Sequence, residues 1–165
     1  VLEPPAESKS GLQEPGLIEL KDGRLMMLMR TDQGCQMRSF SSDGGDTWSP
    51  AETTGILSPV SPATLARIPG TEELVMVWND HSKIDPALKG KRTPLTLAIS
   101  ADEGKTWERR VDIETSPTGW YCYTAIHFTD KAMLLGYCAG NTEQENGLAR
   151  TRIRRIPLDQ LPQKK

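Results

Sequence analysis

Ser42-Asp43-Gly44-Gly45-Asp46-Thr47-Trp48 is answered later in the chain by Ser100-Ala101-Asp102-Glu103-Gly104-Lys105-Thr106-Trp107. Both stretches fit the pattern S-x-D-x-G-x-T-W, with Ser42, Asp43, Gly45, Thr47 and Trp48 taken as its members in the first copy. In the second copy they are Ser100, Asp102, Gly104, Thr106 and Trp107. Repetition of a patterned stretch points to repeated supersecondary units. The residue types fit a stapled turn. Asp accepts hydrogen bonds from backbone N–H groups a few residues on. Gly supplies a positive φ that a side chain resists. Thr satisfies a further turn group, and Trp buries a large apolar surface that pins the turn to the sheet beneath. A catalytic or calcium-binding role for Asp43 and Asp102 is the weaker reading of this pattern.

Outward from the two turns, the chain reads as short strands. Before the first turn we expect Pro15–Leu20, a hairpin turn at Lys21-Asp22-Gly23, then the apolar run Arg24–Arg30 and Cys35–Ser41. Trp48–Thr53 is expected as an outer fourth strand. The second unit reads Pro62–Ile68, Glu73–Trp78, a long polar insertion over Asn79–Thr93, Leu95–Ser100, and Trp107–Ile113. The third reads Trp120–Phe128, a turn at Asp130-Lys131, Ala132–Ala139 and Leu148–Ile156, without a repeated turn. Helical periodicity is confined to Leu158–Leu161. Three units of about 50 residues in this style predict an all-β fold, a β-propeller of about three four-stranded blades. Residues 1–13 read as an extended N-terminal segment and 14–165 as blades. Such an arc has unpaired edges, so the rest of the ring is expected from a longer chain or from self-association.

The composition narrows the function classes. The chain has 165 residues, 20 Lys and Arg against 22 Asp and Glu, and a formal net charge of −2. That balance speaks against nucleic acid as a partner. There is no apolar run that would span a membrane. The start Val1-Leu2-Glu3-Pro4-Pro5 reads as processed or truncated, which leaves a secreted or periplasmic location open. Cys35, Cys122 and Cys138 lack metal-ligand spacing and read as buried free thiols, although Cys122 and Cys138 could approach across a hairpin. No phosphate loop, zinc signature or EF-hand pattern occurs.

The repeated turn resembles the Asp box of sialidases and related β-propellers. There it ties the hairpin between the outer two strands of a blade and lies away from the active site. The box argues for fold and leaves function open. A second set of residues carries the resemblance further. Glu14 to Leu25, ending at Arg30, resembles the sialidase stretch that opens with a base glutamate and closes with an arginine of the carboxylate-binding triad. Lys91-Arg92, ahead of Leu95-Thr96-Leu97 and the second box, resembles the stretch with the next triad arginine. Tyr123-Thr124-Ala125-Ile126, followed by a turn and Leu134-Leu135-Gly136-Tyr137, resembles the nucleophile segment. The likeness spans most of residues 14–140.

The resemblance implies a propeller of six blades and a retaining glycosidase with a tyrosine nucleophile, acting on terminal sialic acid or another acidic sugar. Tyr123 would attack the anomeric carbon and Glu14 would take its proton. Arg30 and Arg92 would bind the carboxylate, whose geometry a guanidinium fork matches. No metal or cofactor is needed. Tyr121 competes with Tyr123, since period two puts them on one strand face, and Lys91 competes with Arg92. The first triad arginine and the acid/base aspartate have no counterpart here, so this piece alone is expected to be inactive. The other reading is a non-catalytic carbohydrate- or protein-binding propeller. Convergence of Arg30, Arg92 and Tyr123 on one cavity distinguishes the two. Asp80 and His81, with His127, lie near strand ends; they read as a solvated loop, with an acid/base pair or a substrate contact as the alternative. Arg150, Arg152, Arg154 and Arg155 alternate along one strand and read as a solvated face, from which an inward Arg150 or Arg152 could add to an anion site.

Overall fold

A computed structural model describes residues 1–163; the last two residues of the span read as blades lie outside the described residues. Among the described residues eleven strands form three sheets. The first contains β1 (Gln13–Glu19), β2 (Leu25–Arg30), β3 (Cys35–Ser41) and β4 (Glu52–Leu57) in that order. The second contains β5 (Thr64–Arg67), β6 (Leu74–Trp78), β7 (Leu95–Ser100) and β8 (Glu108–Glu114). The third contains β9 (Gly119–Phe128), β10 (Ala132–Asn141) and β11 (Thr151–Pro157). Every pairing is antiparallel between chain neighbours. The first strands of the sheets, β1, β5 and β9, lie side by side, and the Thr64 hydroxyl donates to the Thr124 carbonyl at 2.6 Å. The sheets therefore radiate from a shared inner rim, as blades of a propeller do.

β6 shows why the blades stack. All five of its residues are buried. Leu74, Met76 and Trp78 pack in one cluster with Leu20, Met26 and Leu28 of the first blade. Val75 and Val77 pack in another with Tyr121, Met133, Leu135 and Tyr137 of the third. Alternation along one strand thus feeds two cores, and a strand covered on both faces needs a continuous apolar run. In β2 the two faces carry different partners. Met26 and Leu28 enter the core between blades, whereas Met29, with Cys35 and Met37, is covered by Leu2 and Leu12 of the N-terminal segment. That segment folds around Asp32, whose carboxylate accepts from the Ser8 hydroxyl and the Lys9 and Ser10 amides. These bonds, led by Ser8, hold the Asp32 carboxyl well below the usual carboxylate range.

Several sequence expectations need correction. The third blade has three strands, not four, among the described residues. The outer strand of the first blade begins at Glu52 and not at Trp48. Ser49 instead bonds back to Phe40 and Ser39, and Pro50 has no N–H to offer a ladder. The insertion after β6 contains a single 3-10 turn, Pro86–Leu88, capped by the Asp85 carboxylate. Leu158–Gln160 forms the short helical turn expected near the end. Cys122 and Cys138 face each other across β9 and β10, and all three thiols are free.

The serine of the first box is Ser41, not Ser42. Ser41 Oγ donates to Asp43 Oδ1 at 2.7 Å and accepts from the Gly45 amide at 2.9 Å. Ser100 makes the same bonds to Asp102 and Gly104 at 2.8 Å each. In each box the aspartate also accepts from the amide and the hydroxyl of its threonine, Thr47 or Thr106. These bonds favour the charged carboxylate; with the Thr47 hydroxyl first among them, the Asp43 pKa falls to about 2. Each turn has two successive left-handed residues: Gly44 and Gly45 at φ 73° and 104°, Glu103 and Gly104 at 61° and 77°. Glu103 accepts this backbone while two Arg67 nitrogens, at 2.8 and 3.0 Å, and the Lys21 amide, at 2.7 Å, grip its carboxylate. Ser41 is buried and Ser42 is exposed. Ser41→Ala is expected to lower unfolding free energy by about 1–3 kcal/mol, through orphaned turn groups, and Ser42→Ala by less than about 0.5 kcal/mol. Urea denaturation of the two variants checks this.

Candidate active site

Two β-bulges build the site. In β1, Gln13 lies opposite Arg30 and Gly16 opposite Leu28, so Glu14 and Pro15 together face Met29. In β9, Cys122 lies opposite Cys138 and Ala125 opposite Gly136, so Tyr123 and Thr124 together face Tyr137. Such an extra residue bends the strand and re-aims a side chain. Glu14 and Tyr123 both carry left-handed backbone, at φ 51° and 56°. Among the described residues only Glu103 and Arg109 are other non-glycine cases. Backbone of this kind costs energy and persists where the surrounding structure over-determines it.

The bulge in β9 separates the two tyrosines. Tyr121 is 5% exposed and meets Tyr137 edge-on, with ring centroids 6.4 Å apart. Tyr123 is 45% exposed. The two do not share a face, because the inserted residue breaks the period on which that expectation rested. Tyr123 opens to a hollow of about 440 Å³ whose other walls are Glu14 to Leu17 and Pro62 to Leu65. Glu14 and Tyr123, from the first and third blades, thus share one cavity on the inner rim, and Glu14 is the only carboxylate in its lining.

An arginine accompanies each of them. Arg30, 14% exposed, donates from Nε and Nη2 to Gln13 Oε1 at 3.2 and 2.9 Å. Its Nη1 lies 3.0 Å from Glu14 Oε2, out of line for a hydrogen bond, and neither atom has another partner. Arg92 lies between the rings of Trp120 and Tyr123, at 5.3 and 5.2 Å from their centroids, and donates from Nη2 to the Val60 carbonyl at 3.1 Å. Burial works against its charge, but the Cys122 thiol and Tyr123 phenol outweigh that, and its pKa stands above the ordinary value. Lys91 is exposed; its carbonyl meets the His81 ring Nε2 at 3.0 Å.

Other polar residues singled out in the sequence are engaged elsewhere. Asp80 pairs with Arg110 at 2.7 Å. Burial lowers the His81 pKa. His127 is exposed further along β9. Arg150 pairs with Glu145 at 2.7 Å, and Arg155 is exposed. Arg152 and Arg154 converge on the buried Glu114, which also accepts the Tyr137 hydroxyl. Burial and that bond to Glu114 push the Tyr137 pKa up to about 12. Arg152 and Arg154 are therefore one side of an ion cluster, not an anion site. Sequence reasoning missed Gln13, Trp120 and the Val60 carbonyl. Of these only Trp120, close before Tyr123, left a signal, as an aromatic next to an aromatic.

A model of the BNR repeat-like domain matches residues 2–135. The chain belongs to the BNR repeat-like domain family. Among solved structures it is similar to the NanB sialidase of Streptococcus pneumoniae at 20% identity and TM-score 0.69, over 90% of this chain and 24% of that one. It is similar to the intramolecular trans-sialidase of Ruminococcus gnavus at 19% identity and TM-score 0.67, over 97% and 34%. It is similar to the α-L-arabinofuranosidase Arb93A of Fusarium graminearum at 15% identity and TM-score 0.64, over 96% and 48%. The BNR chain thus spans between about a quarter and a half of the length of these neighbours. No curated protein sequence matches it. The likeness fixes the fold of this BNR chain as part of a sialidase-type β-propeller, a glycoside-hydrolase-like scaffold.

Proposed function

We propose that the whole protein is a retaining glycosidase of the sialidase type, acting on a terminal acidic sugar. The observation that carries this reading is the shared hollow. Glu14 and Tyr123 reach it from different blades, each on a strained bulge and each beside an arginine. In this mechanism Arg30 and Arg92 hold the substrate carboxylate. Glu14 accepts the Tyr123 phenolic proton as Oη bonds to the anomeric carbon and the bond to the leaving oxygen breaks. A neutral phenol meets less repulsion from the nearby carboxylate than an ionised side chain would. Water then attacks the anomeric carbon from the face opposite Tyr123, giving its proton to the group that protonated the leaving oxygen, as the bond to Oη breaks and the proton returns from Glu14 to the phenolate. The proton for the leaving oxygen comes from outside the lining described here.

A second reading, an acidic-glycan-binding propeller without turnover, is favoured by the engagement of both guanidiniums: Arg30 with Gln13, Arg92 with Val60. The test is turnover by the whole protein of 4-methylumbelliferyl α-sialoside, a β-glucuronide and an α-L-arabinofuranoside. We expect release from an acidic glycoside with retention of configuration. Binding of the acidic sugars without release supports the second reading, and release from the neutral furanoside alone overturns the acidic assignment.

A further inference from the structure

Arg92 differs from the other arginines in what holds it. Arg24, Arg30, Arg38, Arg67, Arg109, Arg110, Arg150, Arg152 and Arg154 each lie within salt-bridge distance of a carboxylate. Among the described residues Arg92 and the exposed Arg155 have no such partner. Arg92 is half-buried and is fixed by two aromatic faces and one carbonyl. A ring face attracts a guanidinium electrostatically without cancelling its charge. A cation fixed in this way keeps its full field for an incoming anion.

The ring behind Arg92 is itself held. Trp120 is paired to Gly140 across the third blade, and the Gly140 amide bonds to the Gly147 carbonyl at 3.1 Å. Gly147 lies so close to the indole that a Cβ there would come within 2.5 Å of Trp120 Cγ. The loop between β10 and β11 therefore backs the indole, the indole backs Arg92, and Arg92 covers the Tyr123 ring.

We propose that Trp120 is a positioning residue. It holds the Arg92 guanidinium against Tyr123 un-neutralised, and so sets the affinity of the site for an acidic sugar. This rests on the roles given above to Arg92 and Tyr123. The test compares Trp120→Phe, which keeps a ring, with Trp120→Leu, which does not, in the whole protein. Trp120→Leu is expected to raise KM for an acidic aryl glycoside about tenfold with kcat changed less than about threefold, whereas Trp120→Phe stays within about threefold on both. A second readout needs no turnover. The Arg92 Nε–H resonance, assigned by its loss in Arg92→Lys, is expected to move toward the free-arginine position in Trp120→Leu and to stay near its place in Trp120→Phe. An unmoved resonance in Trp120→Leu, or a lowered melting temperature with KM unchanged, overturns the proposal. If the whole protein turns over no acidic glycoside, the proposed function falls while the resonance still decides what holds Arg92.

Discussion

Tyr123→Phe is expected to lower kcat of the whole protein on the order of 10⁴-fold or more, because it removes the attacking oxygen. The ring stays, so its face for Arg92 stays. The left-handed backbone is as costly for Phe as for Tyr. Among the described residues the Tyr123 hydroxyl is tied into no buried network, in contrast to Tyr137, whose hydroxyl is bonded to Glu114. Melting temperature should therefore be unchanged, and KM should move little. Steady-state kinetics beside a thermal melt measure both. A residual rate within tenfold of the parent would show that Tyr123 is not the nucleophile.

The second large effect falls on stability. Trp107→Ala is expected to cost about 3–5 kcal/mol, a large share of the 5–15 kcal/mol usual for a domain. Trp107 is 7% exposed and belongs to the cluster that joins the first two blades, with Met26, Leu74 and Trp78. Its removal opens a cavity at that joint. Trp48, in the same position of the first box, is only half-buried; its indole N–H donates to the Gly45 carbonyl, and it lines an open hollow beside the N-terminal residues. Trp48→Ala should cost about half as much. Urea titration of the two variants gives the comparison; equal costs would show that the two boxes carry equal packing.

The fold was legible because its signals are local and redundant. Both boxes repeat, β6 is apolar on both faces because a blade lies on each side, and β2 because a blade covers one face and the N-terminal segment the other. The ends of elements were less legible. Ser41 and Ser42 are adjacent identical residues; the spacing S-x-D fits Ser41, and its bonds to Asp43 and Gly45 settle it. Pro50 kept the outer strand from starting at Trp48. At the site, Glu14, Arg30, Arg92 and Tyr123 were legible through resemblance, but that Glu14 and Tyr123 line one hollow, with neither arginine in its lining, was not. The shared hollow depends on two bulges, and an inserted residue leaves no mark on composition while inverting the face of every side chain after it. Hence Tyr121 and Tyr123, which simple alternation puts together, part into core and hollow. The pairing of Arg152 and Arg154 was not legible for a related reason: the buried carboxylate they serve, Glu114, lies on β8, far away in sequence.

The claim that Glu14 and Tyr123 form one catalytic pair is tested most directly by trapping. The whole protein is incubated with a 2,3-difluorinated sialic acid, whose fluorines slow breakdown of the glycosyl–enzyme intermediate, and its peptides are mapped by mass spectrometry. The account predicts a sugar adduct on the peptide carrying Tyr123, on that residue, and its loss in Tyr123→Phe. An adduct on Tyr121 or on a carboxylate, or turnover of a sialoside with inversion of configuration, would contradict it.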